Sequence, residues 1–274
     1  ADYGFFTEWW FNYGWSVGGD CIEYVETDDD RYTGGYWDFT LMDNTPNYIV
    51  ADGYVGAVKI NGTDYHAGEI IAWQDKLVDP AADEKQIRSE IAALVEEGTL
   101  NELPSQRDAF VEFVRMGQAD TKTVDVVNGE ILKGYGISPT PSSIGGDSGK
   151  TIAFKDGLIA MLVDDAYVIA DLREQMEGYY EWGVAPLPQY KEYDSAGNIT
   201  VHGIEAGHSE ANGLVLNAKS NVPQASWIVM EYFAGERGQI IEAENGGCVP
   251  LQKSVGTSDA FLQTGINPEN IRMF

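Results

Sequence analysis

Cysteines are few in this chain of 274 residues. The two present, Cys21 and Cys248, lie far apart and belong to no Cys-x-x-Cys or Cys/His cluster, so the sequence indicates no zinc site. A disulfide between them is left open. Residues 28–30 are three consecutive aspartates, but they do not alternate as calcium-loop ligands do and no closing Glu lies at the required spacing, which favours a solvated turn. We expect neither a metal nor a cofactor.

Basic residues are also scarce, with 17 Lys and Arg against 44 Asp and Glu and a formal net charge of −27. A chain this acidic repels nucleic acid, anionic membrane surfaces and polyphosphates, so we expect no nucleic-acid partner. The sequence also lacks an apolar run of about 18 residues, and no basic segment followed by an apolar one opens it. We therefore expect a soluble chain that is not a raw precursor.

Aromatic residues, by contrast, are abundant and unevenly placed. Residues 5–15, "FFTEWWFNYGW", hold seven aromatics and lead into the turn signal Val17-Gly-Gly-Asp20. From about residue 28 to 67 the chain alternates aromatic and β-branched residues with Gly, Asn and Asp, and Asn61-Gly62 is a hairpin signal. The sequence predicts an aromatic helix or strand and, after it, a β-rich insert.

The hydrophobic period then changes to about 3.6 residues, which predicts two helices. The first begins at Asp79-Pro80 and ends at Gly98, with a buried stripe of Ile87, Ile91, Leu94 and Val95. The second spans 105–116 with Phe110, Phe113 and Val114 buried, and Gly117 terminates it.

Alternating elements come next and predict an α/β architecture. We expect strands at 158–163, 182–187 and 213–218, with helices at 165–176 and 223–234. Before them, "IGGDSGKT" at 144–151 resembles a nucleotide phosphate loop. It is one residue short, however, a Pro/Ser-rich stretch precedes it, and Lys155-Asp-Gly157 interrupts the segment where a helix is required. The sequence therefore argues against ATP binding.

Four motifs between about 150 and 255 resemble, in order, those of the extracellular solute-binding proteins of ABC importers, the family of oligosaccharide-binding lipoproteins. They are "AFKDGLIAMLVDDAY", "YYEWGVAPLP", "GLVLNAKSNVPQASWIVMEYF" and "ENGGCVPLQKSV". The resemblance implies a periplasmic-binding-protein-like fold of type II, mostly its C-terminal lobe. It assigns 1–207 to that second lobe including the insert at about 28–67, 208–250 to the first lobe, and 251–274 to a truncated return.

The resemblance also implies what the protein does and where it acts. Family members begin with a longer lobe and continue past "NPENIRMF", so the chain looks like an internal fragment in which 213–234 lacks its usual partners. We expect a monomeric, non-enzymatic protein, membrane-anchored and extracellular in its full-length form. It would bind an oligosaccharide in an inter-lobe cleft and deliver it to the membrane subunits of an ABC importer.

Selecting a sugar requires an aromatic face for its C–H surface and carboxylates or amides for its hydroxyls. By resemblance Tyr167 is the stacking aromatic, with Asp165 beside it, although a helical core position and a plain N-cap explain both equally well. Adjacent side chains diverge by about 100° on a helix, so we expect Trp9 or Trp10 to face a cleft or a partner, although two partly buried structural tryptophans explain the pair equally well. Trp182 belongs to the core. By resemblance the chain crosses between lobes at 202–213, which makes Glu205, His208, Ser209 and Glu210 further candidates, although a solvated polar loop explains this stretch better.

Two rival functions stay open at this point. A glycoside hydrolase also uses acidic pairs and tryptophans, although 44 carboxylates make such pairs unavoidable. A carbohydrate-binding surface module would suit the β-rich segment but not the two helices at 80–117. A serine hydrolase is weakly indicated, because "GHSEA" at 207–211 ends in Ala where a nucleophile elbow has Gly and needs His66 or His202 from elsewhere.

Overall fold

The computed structural model describes residues 1–72, 83–118, 123–125, 131–208, 213–246 and 248–274. This part of the chain combines helices with small antiparallel sheets. It divides into two compact units, each discontinuous in sequence. The first unit comprises Ala1–Thr7, Pro139–Pro186 and Ser209–Phe274, and the second comprises Glu8–Ser138 and Leu187–His208.

The described elements number eleven strands and nine helices, with further 3-10 turns at Pro141–Ser143 and Ile271–Met273. The strands are β1 Ile22–Val25, β2 Tyr36–Phe39, β3 Pro46–Val50, β4 Val58–Ile60, β5 Thr63–Tyr65, β6 Ile70–Ile71, β7 Leu100–Ser105, β8 Thr123–Asp125, β9 Ile131–Lys133, β10 Lys191–Tyr193 and β11 Ile199–His202. The helices are α1 Phe11–Ser16, α2 Glu84–Glu96, α3 Gln106–Gly117, α4 Asp147–Lys155, α5 Val168–Met176, α6 Pro223–Ala234, α7 Glu236–Glu244, α8 Lys253–Gly256 and α9 Asp259–Leu262.

The second unit is built around the three-stranded sheet β6-β3-β7. The predicted hairpin is confirmed: β4 pairs with β5 in an antiparallel register, and Asn61 and Gly62 both have positive φ, at 44° and 82°, as its two-residue turn requires. Helix α2 covers the sheet. Its predicted stripe packs into a core with Val50, Val58, Ile60, Ile71 and Leu100.

The two helices of this unit begin where local capping fixes them. Asp83 caps α2 by accepting hydrogen bonds from the backbone of Lys85 and Gln86; the predicted start at Asp79-Pro80 lies outside the described residues. The predicted start of α3 at Ser105 is confirmed, and the structure adds a reciprocal capping box between Ser105 and Asp108. The predicted burial in α3 is wrong, because Gln106 and Ala109 are its buried residues and the aromatics are half-buried. Phe110 and Phe113 instead pack on aromatics at α1.

In the first unit the helices agree better with prediction than the strands do. Helix α6 has the predicted bounds, whereas α5 starts at Val168 rather than Asp165. Residues 158–163 pair with the N-terminal segment through two parallel bridges, Tyr3–Ile159 and Phe6–Leu162, without forming a full strand. Residues 182–187 and 213–218 form no strand. The side-chain amide of Asn270 bonds both backbone groups of Val184, so it takes the place of a neighbouring strand.

The core of the first unit lies among α5, α7, α8 and α9. It is formed by Ile169, Ala243, Val255, Phe261, Leu262 and Ile271, and Trp182 packs against it as predicted. Helix α6 is different, since none of its residues is buried. Trp227, Ile228 and Phe233 are each more than half exposed. The apolar surface of α6 is therefore uncovered in the described part of the chain.

Candidate functional site

The candidate site lies in the second unit, around the short helix α1. Phe11 and Trp15 stand four residues apart and therefore share one helix face, where their ring centroids are 4.7 Å apart. The ring of Trp9 joins them, with its centroid 5.3 Å from that of Phe11. The helix ends at Ser16 with Val17 as its C-cap, and Gly18 turns the chain away with a φ of 81°. The aromatic run thus forms a helix and presents three rings on one side.

His208 completes this group, which we call the aromatic cage: Trp9, Phe11, Trp15 and His208. The imidazole lies edge-on to Trp9 at 5.4 Å, edge-on to Phe11 at 6.0 Å, and stacked on Trp15 at 6.0 Å with an interplanar angle of 18°. Two residues predicted separately from the sequence, Trp9 and His208, are therefore brought together although 199 positions separate them in the chain.

Trp10 points elsewhere, as expected for the neighbour of Trp9 on a helical turn. Its indole packs edge-on against Phe110 of α3 at 5.6 Å. Close by, Tyr13 donates a hydrogen bond to the sulfur of Met116, and burial raises the pKa of this tyrosine. Trp10 and Tyr13 hold α1 on α3 and do not line the cavity beside the cage.

A cleft of about 280 Å³ adjoins the cage and shares Trp15 with it. The turn after α1 leads directly into β1, so the carboxylates of Asp20 and Glu23 follow the aromatic run in the sequence and line the cleft. The described lining comprises Trp15, Gly18, Gly19, Asp20, Glu23, Thr40, Ala72, Ile204, Ala206 and Gly207.

Hydrogen bonds fix the acidic wall of the cleft. The Cys21 backbone N–H donates to Asp20 Oδ1 at 2.7 Å, and the Thr40 hydroxyl donates to the Asp20 carbonyl. Burial and the charge of Asp20 raise the pKa of the Cys21 thiol, which therefore stays protonated at neutral pH. Both Cys21 and Cys248 are free thiols.

The segment that lines the cleft at Ile204, Ala206 and Gly207 is anchored to the end of α1 through Ser16, whose exposed fraction is 3%. The Ser16 hydroxyl accepts the Tyr190 N–H at 2.9 Å, and the Ser16 carbonyl accepts the Ile204 N–H at 2.8 Å. Farther along, His202 Nε2 lies 2.8 Å from Asp52 Oδ2 and Nδ1 lies 2.7 Å from the Gly203 carbonyl. These contacts hold the segment that carries Ile204 to His208 against the rest of the unit.

The remaining predicted residues do not belong to the described lining of this cleft. Glu205 is exposed and does not belong to the described lining of the cleft. Glu210 lies outside the described residues, as does Ser209 of the weak hydrolase motif. Asp165 and Tyr167 belong to the first unit, where Tyr167, about half exposed, is itself the N-cap residue of α5. The alternative interpretation of Asp165 as a plain N-cap is therefore wrong.

The phosphate-loop-like lysine has a structural partner in the first unit. Lys150 Nζ lies 2.8 Å from Asp164 Oδ2, and the two side chains are only 6% and 4% exposed. A 3-10 turn precedes α4 where a phosphate loop needs a strand. The expected absence of a preceding strand is confirmed, but the expected interruption of the following helix is wrong, because α4 covers Asp147–Lys155. Lys150 forms a buried ion pair in this helix.

Sequence reasoning missed Trp15, Asp20 and Glu23 as site residues. The sequence carries part of this information. A carboxylate that directly follows an aromatic helix and a Gly-Gly turn lies next to the cavity that the aromatic side chains border. Nothing in the sequence marks Thr40 and Ile204 as site residues, because they line the cleft only when segments distant in sequence fold together.

Comparison of the chain with family models, with curated proteins and with solved structures finds no match. In the described residues no helix is long and apolar enough to cross a membrane, and no group of three or more His, Cys, Asp or Glu side chains has the geometry for a metal ion. The function is therefore argued from the cleft and the motifs alone.

Proposed function

We propose that the protein is the solute-binding component of an ABC importer, that it binds an oligosaccharide without transforming it, and that the cleft beside Trp15 contributes to the site. The observation that carries this proposal is the meeting of an indole with two carboxylates at one cavity. An indole stacks on the C–H face of a sugar ring, while carboxylates accept hydrogen bonds from its hydroxyls. A pocket that is partly apolar with a few placed polar groups is typical of small-molecule sites.

The four ordered motifs add the transport context. They support a periplasmic-binding-protein-like fold, delivery to membrane subunits, and an anchored extracellular protein, all of which stand on the resemblance. The exposed apolar surface of α6 agrees with it, since the same resemblance assigns 208–250 to a first lobe that would cover such a surface.

A thermal-shift screen against mono- and oligosaccharides tests the proposal. A ligand that binds only the folded state stabilises it by about 2.7 kcal/mol at a free concentration one hundred times its Kd. We expect at least one oligosaccharide to raise the melting temperature in a dose-dependent manner. A flat response to every sugar would contradict the assignment of the ligand.

The glycoside hydrolase alternative is tested separately with chromogenic glycosides. A binding protein releases no chromophore, whereas a hydrolase with paired carboxylates at the cleft releases it catalytically. Turnover that disappears in Asp20→Asn and Glu23→Gln would replace the binding proposal with the enzymatic one. The same two variants serve for both assays, which makes the comparison direct.

A further inference from the structure

The two-stranded sheet of β1 and β2 has one apolar face, which we call the ribbon face: Ile22, Tyr24, Trp37 and Phe39. Ile22 lies opposite Phe39 and Tyr24 lies opposite Trp37. Because residues two apart on a strand share a side, all four side chains lie on the same face of the sheet. The ribbon face is open to solvent, with exposed fractions of 65% for Trp37 and 83% for Phe39.

Two rings of the ribbon face are held in position by their neighbours. The ring centroids of Tyr24 and Trp37 lie 5.2 Å apart in an edge-on arrangement. Tyr24 also packs closely on Gly35, where an added Cβ would lie 2.6 Å from the tyrosine ring. Exposed rings that are already fixed lose little conformational entropy when a ligand binds, so this surface is pre-organised for binding.

Hydrogen-bond acceptors continue on the exposed side of the same segment. Exposure alternates from residue to residue along β1 and beyond it, and the exposed positions that follow Tyr24 are Glu26 and Asp28. Carboxylates accept hydrogen bonds from sugar hydroxyls, while ring faces pack on the C–H surface of a sugar. A second copy of this chain is a poor occupant, because each copy carries a net charge of −27 and the copies repel each other.

The area of the ribbon face distinguishes a sugar from a protein as the occupant. A fully buried aromatic side chain contributes about 150–250 Å², so these four partly exposed side chains offer roughly 500 Å². A specific protein interface takes about 800 Å² from each partner. Both strands have four residues and therefore span only about 13 Å. The ribbon face is thus too small for a standard protein interface, whereas it accommodates a short run of sugar rings.

We propose that the ribbon face is a glycan-binding surface separate from the cleft, and that it binds a run of neutral sugar units within a polysaccharide. The sugar rings stack on Trp37 and Phe39, which are the most exposed side chains of the face. None of the four residues belongs to the described lining of the cleft, so this proposal does not depend on what the cleft binds.

Affinity electrophoresis tests the proposal in native gels that contain a soluble neutral polysaccharide. The probes are hydroxyethyl cellulose, galactomannan and amylopectin, and anionic polygalacturonate serves for comparison. We expect at least one neutral polymer to retard the protein and polygalacturonate to leave its mobility unchanged. In Trp37→Ala the Kd obtained from the retardation should rise at least about tenfold. Trp37→Phe keeps an aromatic ring and should therefore lose less affinity.

Two control variants separate the ribbon face from other tryptophans. Trp227→Ala removes an indole that is 54% exposed in the other unit, and it should leave the retardation unchanged. Trp15→Ala removes the indole of the cleft and should also leave it unchanged. Circular dichroism verifies that each variant is folded, which we expect for Trp37→Ala because its side chain is largely exposed.

Three outcomes would overturn the proposal. The first is the absence of retardation by all three neutral polymers, or equal retardation by polygalacturonate. The second is retardation that persists in Trp37→Ala; if it disappears in Trp15→Ala instead, the polymer binds in the cleft. The third is a dimer in sedimentation equilibrium that Trp37→Ala dissociates, because a second copy then covers the ribbon face. A failure of the thermal screen for the cleft would leave the ribbon face unaffected.

Discussion

Replacing Lys150 with Met should destabilise the protein far more than an ordinary lysine substitution does. Its ammonium lies 2.8 Å from the Asp164 carboxylate, and the side chains are 6% and 4% exposed. Removing the lysine leaves a buried carboxylate without its counter-charge, and breaking a pair in this way costs about 3–5 kcal/mol. Against a total stability of about 5–15 kcal/mol, that is a large share.

Urea unfolding followed by circular dichroism measures this cost, and the chain offers a matched surface pair. Arg88 and Glu84 lie 2.7 Å apart on α2 but are 50% and 54% exposed, so Arg88→Met should cost less than about 0.5 kcal/mol. The double variant Lys150→Met with Asp164→Leu should recover most of the lost stability, because neither charge then remains buried. A cost for Lys150→Met as small as that for Arg88→Met would refute the reasoning.

Single contacts in the second unit give two further predictions. Gly14→Ala should destabilise the protein by about 1–3 kcal/mol, although Ala is the better helix former, because the added Cβ would lie 1.9 Å from the buried amide oxygen of Gln106. In the control Gly117→Ala the added Cβ meets nothing within 4 Å, so this variant should be more stable than the unchanged protein. Urea unfolding of the two variants measures the difference. The Gly203 carbonyl and the Asp52 carboxylate raise the pKa of His202 in the folded protein. Protonated His202 therefore stabilises the fold fully below the pKa of the unfolded chain, and this stabilisation is lost as the pH rises through the pKa of the folded state. His202→Gln should remove this pH dependence from melting curves taken between mildly acidic and alkaline pH.

The features that the sequence predicts well are local. The Asn61-Gly62 turn and the helix start at Ser105 depend on residues within four positions of each other, and both are present. The strand predicted at 182–187 fails for the opposite reason. A strand needs a partner from elsewhere in the chain, and the hydrophobic run alone does not reveal that Asn270 bonds the backbone of Val184 instead.

The candidate site divides in the same way. Two adjacent tryptophans cannot face one direction, which predicts that Trp9 or Trp10 faces a cleft. The structure separates their directions, with Trp9 against His208 and Trp10 against Phe110, but neither belongs to the described lining of the cleft. The cleft itself depends on segments far apart in sequence, such as the turn at Asp20 and the segment at Ile204. The hydrophobic periodicity of the sequence does not show which distant segments approach each other, so the two carboxylates of the cleft are identified only from the folded chain.

Sugar binding on Trp15 can be tested by a titration that monitors tryptophan fluorescence while the best oligosaccharide from the thermal screen is added. We expect saturable binding whose Kd rises at least about tenfold in Trp15→Ala. Trp227→Ala, which removes an exposed indole outside the described cleft lining, should leave Kd unchanged. Saturable binding with the same Kd in both variants would contradict the placement of the ligand on Trp15.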